Sequence, residues 1–126
     1  MKLLLDTNAL LWLLKDDSRL APAARLVVKN AQEIAVSEVS LWEISIKVSI
    51  GKLRPIPELL DTVHELGFRR LSLKDEYLRF YETLPMIHRD PFDRMLVSQA
   101  SLEGLSLLTS DTFLKSYNIQ VIDATS

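Results

Sequence analysis

The chain has no cysteine among its 126 residues. That excludes a disulfide framework and a thiolate zinc site, and it suits a reducing, cytoplasmic setting. Histidine is scarce too, with only His64 and His88, which leaves oxygen as the main ligand chemistry. The three glycines, Gly51, Gly67 and Gly104, are too scattered for a P-loop or a dinucleotide fingerprint, so nucleotide-cofactor enzymes drop out. No apolar stretch approaches the roughly 20 residues that span a bilayer, and no membrane role is expected. Asp6 and Asn8 interrupt the opening leucines and no small-residue cleavage site follows, so the mature chain is expected to start at Met1. A charge excess of one sign is also missing: 15 Lys and Arg face 17 Asp and Glu, for a net charge of −2. Nucleic-acid-binding domains usually carry an evident positive excess. With four acids gathered around cations, however, 13 would remain against 15 basic residues. A nucleic-acid substrate is permitted by the charge, not indicated by it.

What is present is an ordinary globular composition, 48% hydrophobic and 25% charged, with room for one domain over residues 1–126. Strand-like runs alternate with helical patterns. "KLLLD", "EIAVS", "FRRLSL", "LSLLTS" and "IQVID" read as strands. "ALLWLLK", "APAARLVVKNA", "EVSLWEISIKVSI", "PELLDTVHEL", "KDEYLRFYETL", "DPFDRMLVSQASLEG" and "DTFLKSY" read as helices. Four or five short strands separated by helices predict an α/β domain with a mostly parallel sheet and helices on both faces. In such sheets, sites form beyond the carboxyl ends of the strands. There is no internal repeat, low-complexity segment or long linker.

Four carboxylates stand in unusual places. Asp6 lies between the strand Leu3 to Leu5 and the helix from Ala9, where it either caps that helix or serves a site. Glu43 falls on a helical stripe of Val39, Trp42, Ile46 and Ile50, where an unpaired carboxylate is costly. It either reaches a cleft or pairs with Lys47, its i+4 neighbour. Asp93 shares a face with Leu96, Val97 and Ala100, although the first turn of a helix also welcomes an acid. Asp90 reads mainly as the cap of that helix, ahead of Pro91. Asp111 follows a strand directly, with Ser110 as the expected cap of "DTFLK".

Each acid has a local excuse, but the four together do not. Two carboxylates about 4 Å apart repel by roughly 4 kcal/mol at an effective dielectric of 20. A cluster of four therefore needs a cation, and all-oxygen ligation selects Mg²⁺ (or Mn²⁺). Such a site equips a protein for phosphodiester hydrolysis.

At these residues, "LLLDTNALLW", "VSLWEISIKVSIGKL", "HRDPFDRMLVSQA" and "LLTSD" resemble, in order and spacing, the motifs of PIN-domain nucleases, in particular the VapC-like toxins of toxin–antitoxin modules. The likeness runs from Lys2 to about Asp123, with little motif information between Ile56 and Met86. It implies a single PIN domain over residues 1–126, a three-layer α/β/α fold with a mostly parallel four- or five-stranded sheet. It also implies metal-binding and catalytic acids at Asp6, Glu43, Asp93 and Asp111, and supporting roles for Asn8, Thr109 and Ser110, with Asp90 a further candidate beside them. The expected activity is a Mg²⁺- or Mn²⁺-dependent endoribonuclease, usually a homodimer, silenced by a cognate antitoxin. Arg89, Arg94 and Lys47, and beyond them Lys52 and Arg54, are the candidates for RNA phosphate contacts. His88 is expected to be neither a metal ligand nor a general base. Rival readings are a housekeeping RNA-processing nuclease, a non-catalytic domain that binds RNA or a protein, and a haloacid-dehalogenase-type phosphatase. The last wants an acid two residues after Asp6, where this chain has Asn8.

Overall fold

Leu3, Leu4 and Leu5 are wholly buried because β1 (Lys2–Leu5) is the central strand of the sheet and is covered on both faces. The structure is a computed structural model that describes residues 1–126. β2 (Glu33–Ser37), β3 (Arg69–Leu71), β4 (Ser106–Thr109) and β5 (Val121–Asp123) complete a five-stranded sheet of order β3-β2-β1-β4-β5. Every pairing is parallel, with Leu5 opposite Val36 on one side and Leu108 on the other. Of the four or five strands expected from the apolar runs, the sheet has five, the upper end of that range.

The helices are α1 (Thr7–Leu14), α2 (Pro22–Lys29), α3 (Glu38–Ser49), α4 (Leu59–Glu65), α5 (Asp75–Glu82) and α6 (Pro91–Glu103). Side chains alternate across a strand, and the core divides accordingly. Leu3, Leu5 and Leu108 pack with Leu10, Ala24 and Val63 of α1, α2 and α4. Leu4 and Leu107 pack on the opposite face with Tyr77 of α5 and Leu96, Val97 and Ala100 of α6. This is the three-layer α/β/α arrangement. α6 begins at Asp90, whose carboxylate accepts from the N–H groups of Phe92 and Asp93, and ends at Gly104, whose φ of 65° supplies the left-handed turn into β4. Its last turn is tied to the sheet edge by Glu103, which accepts from the Tyr77 hydroxyl at 2.7 Å and from Arg69 at 2.5 Å.

Two expectations are corrected. α3 does not bury Val39, Trp42, Ile46 and Ile50 as a stripe: Trp42 and Ile50 are each 59% exposed, and the covered side runs through Ser40, Leu41 and Ile44. α3 is apolar on more than one face, so periodicity alone does not choose among them. It packs both on α1 and on α6, with Leu41 and Ile44 in one core and Val39 in the other. The segment after β4 is a 3-10 turn, Thr112–Ser116, and its cap is Asp111 rather than Ser110.

Truncating Leu4 to Ala removes a side chain packed against both neighbours of the central strand and should cost about 2–5 kcal/mol in urea unfolding. Trp42 lies in the open, touching Phe92 edge-on at 5.4 Å. Its replacement by Ala should cost no more than about 1.5 kcal/mol by the same measurement.

Candidate active site

Asp6 sits where β1 gives way to α1, and Asp111 where β4 gives way to the 3-10 turn, so parallel pairing of β1 with β4 sets both on one edge. Glu43 reaches that edge from α3 and Asp93 from the first turn of α6. The four acids line one cleft of about 260 Å³, together with Thr7, Asn8, Lys47, Asp90 and Ser110, and no apolar side chain faces it.

Asp6 has two employments. Its Oδ1 accepts the Ala9 N–H at 2.7 Å, capping α1. Its Oδ2 accepts the Thr109 hydroxyl at 2.7 Å and the Ser110 N–H at 3.3 Å. Thr109 in turn accepts the Asp111 N–H at 2.9 Å, so a single hydroxyl joins the two aspartates. Asp111 likewise caps the turn after it through the Phe113 N–H. Asp90 caps α6 and also borders the cleft. Asn8 donates to Ser110 at 3.2 Å and does not touch Asp6.

Glu43 is held from two sides. The Thr7 hydroxyl donates to Oε1 at 2.5 Å, and Lys47 pairs with Oε2 at 3.3 Å. Both alternatives for Glu43 thus hold together: it has its i+4 partner, and it faces the cleft. Thr7 was not singled out by the sequence, although it lies inside "DTN"; nothing in its local pattern indicates a partner 36 residues away.

His88 comes closer to the acids than its loop position suggests. Its Nδ1 accepts the Asp90 N–H at 3.0 Å. That leaves the ring proton on Nε2, which donates to Asp111 Oδ2 at 2.6 Å. Asp93 Oδ2 lies 3.8 Å from the same nitrogen. His88, Asp93 and Asp111 place three potential ligand atoms within 4.8 Å of one another. In this arrangement Nδ1 is filled by a backbone donor and Nε2 is engaged with Asp111. The ring orients Asp111.

Arg94 is a correction. It is 5% exposed, its guanidinium donates to Pro85 O at 2.9 Å and to the Tyr117 hydroxyl at 3.1 Å, and it lies over the Tyr81 ring. It is not accessible to an RNA phosphate; it anchors the loop that carries His88, whose own N–H donates to Tyr117. Arg89, Lys52 and Arg54 are exposed.

Burial, and after it crowding, shows in the acids' proton affinities. Burial raises Asp6 above the ordinary carboxyl range, against the lowering effect of its bonds from Thr109 and Ala9. Asp93 is pushed up to about 7, first by burial and then by the charges of Asp90 and Asp6.

A parallel α/β sheet with an all-polar acidic cleft at its carboxyl edge defines the structural class. Within it, the chain belongs to the PIN domain family, whose family model matches residues 3–119. It is 27% identical over 121 residues to Ribonuclease VapC22 of Mycobacterium tuberculosis, covering 90% of each chain. Among solved structures it is similar to VapBC2 from Rickettsia felis bound to a DNA fragment from their promoter, with a TM-score of 0.70 at 17% identity and 98% of each chain covered. It is also similar to DNA-bound VapBC from Salmonella typhimurium, at 0.68 and 18% identity over 98% of each.

In the folded chain Asp93 keeps its proton up to about pH 7, whereas an ordinary aspartate releases it near 3.8. Between those values the native state binds the extra proton, so stability falls as pH rises through that window. Thermal melts of EDTA-treated protein should therefore show a falling midpoint from about pH 4 to 7. Asp93→Asn should flatten that slope without unfolding the chain. A steep loss of stability in Asp93→Asn would show instead that the carboxylate is structural.

Proposed function

We propose that this chain is a metal-dependent endoribonuclease, a single PIN domain over residues 1–126, acting in the cytoplasm as the toxin of a toxin–antitoxin pair. The observation that carries the reading is the convergence of Asp6, Glu43, Asp93 and Asp111 on one cleft. The ribonuclease name of the similar mycobacterial protein and the VapBC identity of the similar structures support it.

The donor set fits a hard divalent cation. It is made of carboxylate oxygens, and Asp93, pushed up to about 7 first by burial and then by the charges of Asp90 and Asp6, would give up its proton more readily beside a cation. Asp6, Glu43, Asp93 and Asp111 would hold Mg²⁺ (or Mn²⁺), which when bound would activate water and neutralise charge on the phosphate. The remaining residues orient this set. Thr109 fixes Asp6, Thr7 fixes Glu43, and His88 fixes Asp111. Lys47 is the one cation lining the cleft and receives the substrate phosphate, with Arg89 exposed near the entrance of α6.

An antitoxin has a ready target here. An Arg side chain pairs bidentately with carboxylates and so competes with the metal. Trp42 and Phe92 border an apolar surface with Leu73 and Met95 that suits association of two copies. No helix is long and apolar enough to cross a membrane.

Incubation with a mixed RNA pool should give cleavage with Mg²⁺ or Mn²⁺ and none with EDTA, the cut ends being mapped by sequencing. Asp6→Asn and Asp93→Asn should abolish it. His88→Ala should lower cleavage by about 10–100-fold, as expected for a residue that orients a ligand, and His88→Gln, which keeps a donor, should recover most of it. Expression of the chain alone should slow growth, and the antitoxin should restore it. Harmless expression combined with efficient cleavage in vitro would assign the protein to housekeeping RNA processing.

A further inference from the structure

His88 is held at two points by one short segment of chain. Its ring Nε2–H donates to Asp111 Oδ2 at 2.6 Å, and its main-chain N–H donates to the Tyr117 hydroxyl at 3.0 Å. Asp111 and Tyr117 are the two caps of the same 3-10 turn. That turn is braced from within: the Leu114 N–H donates to Asp111 O at 3.3 Å, the Tyr117 N–H donates to Leu114 O at 3.1 Å, and Leu114 is wholly buried. Loop and turn therefore close a ring through His88. The ring fixes where the imidazole stands relative to the carboxylate it orients.

The Tyr117 hydroxyl is saturated. In a side chain of a residue only 4% exposed, it accepts from His88 and from Arg94, at 3.0 and 3.1 Å, and donates to Pro85 O at 3.0 Å. Its three partners do not depend on it equally. Arg94 also donates to Pro85 O and Leu84 O, and Pro85 O also accepts the Ile87 N–H. The His88 N–H has no other acceptor. Packing does little to hold this stretch, because Pro85, Met86 and Ile87 are exposed and Pro85 borders, with Tyr117, a cavity of about 370 Å³. Hydrogen bonds carry that duty, and a buried donor left without its acceptor is costly.

We propose that Tyr117 is a positioning residue of the active site, its hydroxyl holding the His88 main chain so that the imidazole keeps Asp111 in place at the cleft. The catalytic consequence rests on the endoribonuclease reading and extends it to a residue that does not line the cleft. The action runs through one atom. Tyr117→Phe keeps the buried ring, leaves Arg94 and Pro85 O with their other partners, and strips the acceptor from the His88 N–H alone. His88 is then anchored to the turn at one point instead of two.

The first measurements need neither metal nor RNA. By NMR of the EDTA-treated full chain, the parent should show a His88 ring Nε2–H and a His88 main-chain N–H that both exchange slowly with solvent, the latter at least about tenfold more slowly than that of the exposed neighbour Arg89. In Tyr117→Phe both should exchange rapidly while the His64 signals stay unmoved, which separates a local release from general loosening. In a Mn²⁺ titration, Tyr117→Phe should raise the dissociation constant about tenfold, the lower end of the effect of groups that orient a metal ligand. Added to His88→Ala it should cause no further loss, because a group that acts through the imidazole has nothing left to act on. At fixed subsaturating Mn²⁺, kcat for RNA should fall by a similar factor with KM unchanged. The same loss with and without the imidazole would overturn the inference and make Tyr117 a support of the fold at large. So would an unprotected His88 N–H in the parent, whether or not the variant folds. A parent that binds Mn²⁺ and leaves RNA intact would sink the endoribonuclease reading alone, since exchange and Mn²⁺ affinity decide the tether without it.

Discussion

Parallel pairing of β1 with β4 is the constraint on which the cleft depends. It brings Asp6 and Asp111, 105 positions apart in the chain, to one edge of the sheet and lets a single hydroxyl, Thr109, touch both residues. The apolar strands beneath are what make this tolerable. Leu5 and Leu108 are fully buried, and their burial opposes the mutual repulsion of the acids above them. That repulsion is of the order of 4 kcal/mol per close pair. The acids also serve the backbone: Asp6, Asp90 and Asp111 each cap the element that follows. Helix starts are favourable places for negative charge, so three local stabilisations draw carboxylates to the edge where the cleft forms.

A second, less visible device holds the loop before α6. Arg94 is buried without a carboxylate partner, and it is satisfied by Pro85 O, Leu84 O and the Tyr117 hydroxyl, with Tyr81 against its face. Tyr117 also accepts the His88 N–H. The guanidinium therefore stands at one end of a chain of contacts whose other end is the imidazole proton on Asp111. Leaving a buried charged group with unsatisfied donors is costly, which is why the loop follows Arg94 rather than the reverse.

The sheet was legible because its signal is local: short apolar runs separated by helical patterns yield five strands, and strand ends in a parallel sheet converge. The acids on β1 and β4 were legible for the same reason. Glu43 was reached through the wrong stripe. α3 carries apolar residues on more than one face, and only its packing between α1 and α6 decides that Leu41 and Ile44 are covered while Trp42 is exposed. Arg94 misled because a sequence does not distinguish a solvated arginine from one clasped by carbonyls. The contacts of His88 and Thr7 were invisible because their partners lie 23 and 36 residues away. Partnerships of that separation exist only once the chain has folded.

The two tryptophans have a consequence for spectroscopy. Trp42 is adjacent in sequence to Glu43 and rests against Phe92, next to Asp93. Trp12, on α1, lies under Arg19. Indole emission shifts with the polarity around the ring, and these rings differ strongly in exposure, at 59% and 8%. The protein thus carries two intrinsic fluorophores of different colour, one exposed on α3 and one buried on α1. Removing either leaves a single-wavelength reporter of the other ring's surroundings, with no external dye.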